Sequence, residues 1–245
     1  MRPLPTHPPP DMADSAPLTL ISSMATKPLL AELLALYEQR HGRAVALTSI
    51  GGVDAAKRVA AGEPFDVVVL GADALAKLAA PAAGATVRPD SVTALVRSPT
   101  AIAVPAGTGM PDVTTEAALK AAVLAAPSLG YSTGPSGVAL AKLFERWGIA
   151  DQVKDRIVTP PPGTPVGSLV ADGKVMLGFQ QLSELLPLPG IQIVGPMPAE
   201  VGIVTTFSGG VTTASARGDE ARALLAFLAS ADADDAKRRQ GMEPA

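Results

Sequence analysis

From Leu18 onward, short apolar runs alternate with amphipathic stretches, and Ser, Thr, Gly or Pro stands at nearly every junction, as in repeated strand–helix units. Leu18 to Ile21 reads as a strand and Ser22-Ser23 as a turn. Lys27 to His41 reads as a helix with Leu29, Leu30, Leu33, Leu34 and Tyr37 on one face, Thr26 as its cap, Pro28 in its first turn and Gly42 as its stop. Ala44 to Ser49 is a second strand and Gly51-Gly52 a tight loop. Val53 to Ala61 is a short helix ended by Gly62. Phe65 to Leu70 is apolar on both faces, the mark of a central parallel strand, and a helix follows over Asp73 to Ala80.

Leu95 to Pro105 has strand character around the polar interruption Arg97-Ser98-Pro99-Thr100, which suits a chain crossing from one lobe to another. The pattern then restarts, with a helix from Thr114 or Thr115 to Ala126, a strand Leu129 to Tyr131 and a helix Ser136 to Trp147 closed by Gly148. After the prolines at 160–162 come a helix over Pro165 to Ala171, a strand Val175 to Phe179 and a short helix Gln180 to Leu186. Ile191 to Val194 and Val201 to Thr206 are strands, and Asp219 to Leu228 is a closing helix. The expected architecture is a two-lobed α/β fold. Residues 18–97 with 201–245 form lobe 1 and residues 98–200 form lobe 2, each a mostly parallel sheet flanked by helices, with a ligand cleft between them.

Composition narrows the function. The apolar fraction is 47% with few aromatics, which favours parallel strands under Ala-rich helices. A net charge of −3 and the lack of a basic patch set nucleic acid aside as a partner. There is no cysteine, so disulfides and thiolate chemistry are excluded. Residues 1–17 are rich in proline, have no signal-peptide pattern and read as a disordered leader. That places the chain in the cytoplasm as it stands, or in the periplasm if its N-terminus has been trimmed.

In doubly wound sheets, ligands sit beyond the carboxyl ends of strands, where helix starts offer free amides. Four such junctions carry small polar residues: Ser22-Ser23, the Gly51-Gly52 loop, the segment Ser132, Thr133, Gly134, Pro135, Ser136 and Gly137, and Gln180-Gln181. Taken singly, each hydroxyl is most simply a helix cap. Together they form a cage of neutral donors. Arg97 is a candidate carboxylate grip, and Lys27 opposes the dipole of its own helix. His7 lies in the leader and His41 at the far end of a helix, so no histidine triad or metal site is expected, nor any cofactor. Acid–base chemistry would fall to Tyr131, Glu184, Asp54, Lys27 or Lys57.

The opening strand with Ser22-Ser23, the run Arg58 to Val68 containing Gly62-Glu63-Pro64-Phe65-Asp66, the Ser132 to Leu140 segment and the run Val170 to Phe179 resemble the molybdate-binding family of periplasmic solute-binding proteins, of class II topology, over Leu18 to Ala245. The resemblance implies an anion held by Ser22, Ser23 and the Gly51-Gly52 loop from one lobe and by the Ser132 to Gly137 loop from the other. Typical molybdate binders carry a Ser where Gly51-Gly52-Val53 stands and a Tyr where Phe179-Gln180-Gln181 stands. The stretch from Gly178 to Pro187, with Thr206 to Gly210, is more similar to a divergent branch that includes bacterial aconitate isomerases. The expected function is therefore capture of a small anion, more plausibly an organic di- or tricarboxylate than molybdate, by a monomer that hands it to transporter membrane subunits if exported. The alternatives are an isomerase of cis- and trans-aconitate and a cytoplasmic ligand sensor.

Overall fold

The computed structural model describes residues 16–161 and 163–245. The expected leader lies outside these apart from Ala16 and Pro17. None of the described helices is long and apolar enough to cross a membrane.

The chain begins with strand β1 (Leu18–Ser23), helix α1 (Lys27–His41), β2 (Val45–Ile50), α2 (Gly52–Ala60), β3 (Val67–Gly71) and α3 (Ala72–Ala79). A 13-residue strand β4 (Thr93–Pro105) carries it into the second lobe. That lobe contains α4 (Glu116–Ala125), β5 (Leu129–Tyr131), α5 (Pro135–Arg146), α6 (Ala150–Val153), β6 (Ile157–Val158), α7 (Val166–Ala171), β7 (Leu177–Gln181), α8 (Leu182–Leu185) and β8 (Ile191–Pro196). The return path is β9 (Val204–Val211), α9 (Gly218–Ala229), α10 (Asp234–Arg239) and β10 (Glu243–Pro244).

The strands run in the order β2-β1-β3-β9-β4-β7-β5-β6, with β8 and β10 pairing on β4. In lobe 1, β1, β2 and β3 are parallel; in lobe 2, β5, β6 and β7 are parallel. Between these sets, β9, β4 and β8 run antiparallel, so each lobe is a mixed sheet. The polar interruption seen in the sequence does not break β4. Thr93 to Pro99 pair with β9, while Thr100 to Ala103 pair with β7. One continuous strand thus belongs to both lobes.

Apolar packing covers both faces of each lobe. In lobe 1, α1, α9 and α10 pack over Leu20, Val69 and Phe207, and α2 and α3 pack over Ile21, Val68 and Leu70. In lobe 2, α4 to α6 cover Ile102 and Phe179, and α7 and α8 cover Ala101 and Ala103. Gly42 ends α1 with φ of 65°, as its position predicts. Thr26 does not cap that helix. It sits in a short 3-10 turn and donates its hydroxyl to Ser23 O at 3.2 Å, because the chain is already wound when it reaches α1.

Asp66 braces lobe 1. Its carboxylate accepts the Thr19 N–H and hydroxyl, each at 2.9 Å, and the Ser215 hydroxyl at 2.7 Å, and it pairs with Arg217. Burial alone would raise its pKa. The donors from Thr19, Ser215 and Arg217 outweigh that effect and hold it below the ordinary aspartate value.

Candidate functional site

The carboxyl ends of β1, β2 and β3 lie side by side, since Ser22 is in register with both Ser49 and Val69. The two serines there have different fates. Ser22 Oγ is 2.8 Å from Ser49 Oγ and 3.2 Å from Ser23 O, so it ties strand ends together. Ser23 Oγ is buried and has no hydrogen-bond partner in the protein. Gly52 starts α2 next to it, and a Cβ on Gly52 would sit 3.5 Å from Ser23 Cβ. Among the described helices only α4 is capped by its own side chain, with Thr115 Oγ1 accepting from Ala118 N at 3.1 Å. The first-turn amides of α2 and α5 are left without a side-chain acceptor, and each helix end carries partial positive charge.

Lobe 2 presents the loop between β5 and α5. Ser132 Oγ accepts from Gly134 N at 3.3 Å, which makes a local turn before the helix. Ser136 is buried, Thr133 is exposed and Ser132 is half-buried. Gly137 lies under this loop: a Cβ there would fall 1.6 Å from Ser132 O, so only glycine lets α5 meet its own entry segment. The lobes touch at Pro135, whose Cγ is 3.4 Å from the Cβ position of Gly71 at the end of β3. A second contact joins them where Ser183 Oγ donates to Ala25 O at 3.0 Å.

Gln180 and Gln181 belong to β7 and not, as expected, to the helix after it, because they pair with Ala101 and Thr100 of β4. Strand alternation sends their side chains to opposite faces. Gln180 Oε1 accepts from Gly167 N at 2.9 Å on the α7 side. Gln181 Nε2 donates to Thr205 Oγ1 at 2.8 Å on the other side, while its Oε1 is buried without a partner. Ser98 and Thr100 share that second face, and their buried hydroxyls also lack partners. A polar cluster of Ser98, Thr100, Gln181 and Thr205 therefore lies at the lobe crossing. Thr205 Cγ2 is 3.8 Å from the Gly71 Cβ position, next to Pro135.

Arg97 does not join this group. The alternation that turns Ser98 and Thr100 inward turns Arg97 out, where it is exposed and in register with Glu243 of the edge strand β10. Ser98, Thr100 and Thr205 were not singled out as binders from sequence. Their signal was two hydroxyl residues two positions apart inside an apolar strand. Among the acid–base candidates, Lys27 is exposed, and Asp54 and Lys57 form an exposed pair at 3.6 Å. Tyr131 packs its ring edge-on against Phe144 at 6.1 Å, and burial raises its pKa. His41 stacks on Tyr37 at the far end of α1. Glu184 is half-buried on α8, where burial lifts its carboxyl to about 7 while the Gln180 side chain hydrogen-bonds to it and opposes the rise.

Comparison with known proteins agrees with this fold. The family model described as bacterial extracellular solute-binding protein matches residues 18–243. A protein of Pseudomonas sp. named aconitate isomerase is 38% identical over 235 residues, covering 93% of this chain and 87% of that protein. The periplasmic molybdate-binding protein of Azotobacter vinelandii superposes with a TM-score of 0.75 at 19% identity, over 92% of this chain and 98% of that one. The sulfate-binding protein SubI of Mycobacterium tuberculosis superposes with a TM-score of 0.74 at 16% identity, over 94% and 87% of the respective chains. At these identities the two structures speak for the fold.

Proposed function

We propose, from the premise that this chain belongs to the bacterial extracellular solute-binding proteins, that it takes a small unsaturated polycarboxylate of the aconitate type into its interlobe cleft and isomerises it. The observation that carries the reading is the 38% identity to an aconitate isomerase across 93% of the chain. The cleft supports it chemically. Ser23 offers a buried hydroxyl with no protein partner, α2 and α5 offer uncapped helix starts, and the lobe crossing offers amide and hydroxyl groups. Neutral donors of this kind bind carboxylates through charge-assisted hydrogen bonds, with no buried counter-charge needed. Incubation with trans-aconitate and separation of the isomers tests the reading. The expected result is conversion toward cis-aconitate, and no conversion at high protein concentration overturns it.

A second reading, capture of a small anion without chemistry, is favoured by the family itself and by the oxyanion-binding proteins that share the fold. Export and hand-over to transporter membrane subunits belong to that reading. Thermal-shift titration with molybdate, tungstate, sulfate, citrate and both aconitates tests it. A bound ligand at 100 times its Kd adds about 2.7 kcal/mol to stability, so a flat response to all six overturns it.

A further inference from the structure

Three buried oxygens at the lobe crossing have nothing to bind. Ser98, Thr100 and Gln181 are 0%, 1% and 3% exposed, and Ser98 Oγ, Thr100 Oγ1 and Gln181 Oε1 have no partner among the described residues. Register sets Thr100 opposite Gln181 and Ser98 opposite Thr205, and side chains of opposite residues share a face, with Cβ atoms about 5 Å apart. The same alternation carries Ile102 and Phe179 under Leu140 and Phe144 of α5, so this is the face that α5 covers. Pro135, in the first turn of α5, meets Gly71 beside Thr205, which puts the cluster below the line where the lobes touch. Its surroundings are uncharged. β3, β7 and β9 carry no charged residue. Arg97 of β4 faces outward, and Asp73 and Lys77 of α3 and Lys142, Glu145 and Arg146 of α5 are exposed. Tyr131 of β5 is in register with Phe179 and leans on Phe144, and Glu184 belongs to α8, whose Leu185 packs on the opposite face with Ala101 and Ala103. The unmet valences are specific: each hydroxyl has a proton to give, and Gln181 Oε1, whose amide is fixed by Nε2 donating to Thr205 Oγ1 at 2.8 Å, can only accept.

We propose that Ser98, Thr100 and Gln181 form a subsite at the base of the interlobe cleft that takes one carboxyl group of the guest in its acid form; this rests on the polycarboxylate reading above. Parting of the lobes uncovers the subsite. The acid's carbonyl oxygen accepts from the two hydroxyls, its O–H donates to Gln181 Oε1, and the proton is drawn from solvent as the guest binds. A fully ionised oxyanion such as molybdate or sulfate has no proton for that oxygen, and a buried acceptor left unmet is costly. The three residues therefore determine specificity, favouring a carboxylic acid over a tetrahedral oxyanion.

The test is calorimetric titration of wild type, Thr100→Val and Gln181→Met with trans-aconitate at about pH 6, above the ordinary carboxyl range, in two buffers of different ionisation enthalpy. Tm of the free proteins and conversion of trans-aconitate by wild type are measured alongside. Wild type is expected to take up on the order of one proton per guest bound. Thr100→Val keeps the shape and removes the hydroxyl, so it is expected to bind at least about tenfold more weakly. Its free Tm should be no lower, because that hydroxyl holds nothing in the free protein. Gln181→Met is expected to bind weakly and without proton uptake. Binding by wild type with no proton uptake, or Thr100→Val within about threefold of wild type, overturns the subsite, and conversion by the same wild type leaves the isomerase reading standing. A wild type that neither binds nor converts trans-aconitate overturns both. If Thr100→Val does not fold, the proton uptake of wild type and its loss in Gln181→Met decide.

Discussion

Substituting Ser23 with Ala has opposite consequences for the free and the liganded protein. In the free chain the Ser23 hydroxyl is buried with no partner, so its desolvation is uncompensated. Such a group costs about 1–3 kcal/mol. Removing it is therefore expected to stabilise the ligand-free protein by about 1 kcal/mol, a rise in Tm of about 2–4 °C for a chain of this length. In the complex the same hydroxyl donates to an anion, a bond of about 1.5–3 kcal/mol, so trans-aconitate is expected to bind roughly 10- to 150-fold more weakly. Ser22→Ala is the control. That hydroxyl is 2.8 Å from Ser49 Oγ, and its loss is expected to cost about 1 kcal/mol with little effect on affinity. Urea titration of the free proteins and calorimetric titration with trans-aconitate give both quantities. A Ser23→Ala protein that is destabilised when free and binds trans-aconitate within threefold of wild type refutes the reasoning.

Asp66→Asn strands Arg217, whose side chain is 27% exposed, and is expected to cost about 3 kcal/mol at neutral pH, the low end for a broken buried pair. Because the folded pKa of Asp66 lies below the ordinary 3.8, this stability is present above that value and is lost as pH falls through the folded one. Urea midpoints of wild type and variant should converge in acid, and a constant gap between them contradicts the brace. Gly137→Ala places a Cβ where Ser132 O stands and is expected to lose at least about 2 kcal/mol and weaken trans-aconitate binding; an unchanged Tm contradicts that. Lys237, 1% exposed with Nζ 3.1 Å from Asp234, lies beside a cavity of 10 Å³ under α1. Lys237→Met takes the 3.1 Å partner from Asp234, which is 26% exposed and keeps Arg238 at 4.0 Å, and is expected to destabilise by less than about 3 kcal/mol; an unchanged or raised urea midpoint contradicts this.

Much of the fold was legible in local pattern. The valine run at 67–69 announced a strand buried on both faces, and the leucine stripe of α1 with Gly42 after it marked that helix and its end. The strand–helix alternation, read with the glycines, was enough to expect two lobes. The site was legible only in part. Ser22 and Ser23 look alike in sequence, yet one ties β1 to β2 while the other has no partner. Gly137 looked like one more loop donor, and it is the residue that allows α5 to close on Ser132.

Hydrophobic period and punctuation, which act over a few residues, determined the elements and their order. Tertiary structure decided everything that depends on which strands become neighbours. It kept Gln180 and Gln181 in β7 by pairing them with β4, turned Arg97 outward, and gathered Ser98, Thr100 and Thr205 at the crossing. It also left Glu184 half-buried without a salt-bridge partner, because side-chain partners are set by contacts between segments far apart in the chain.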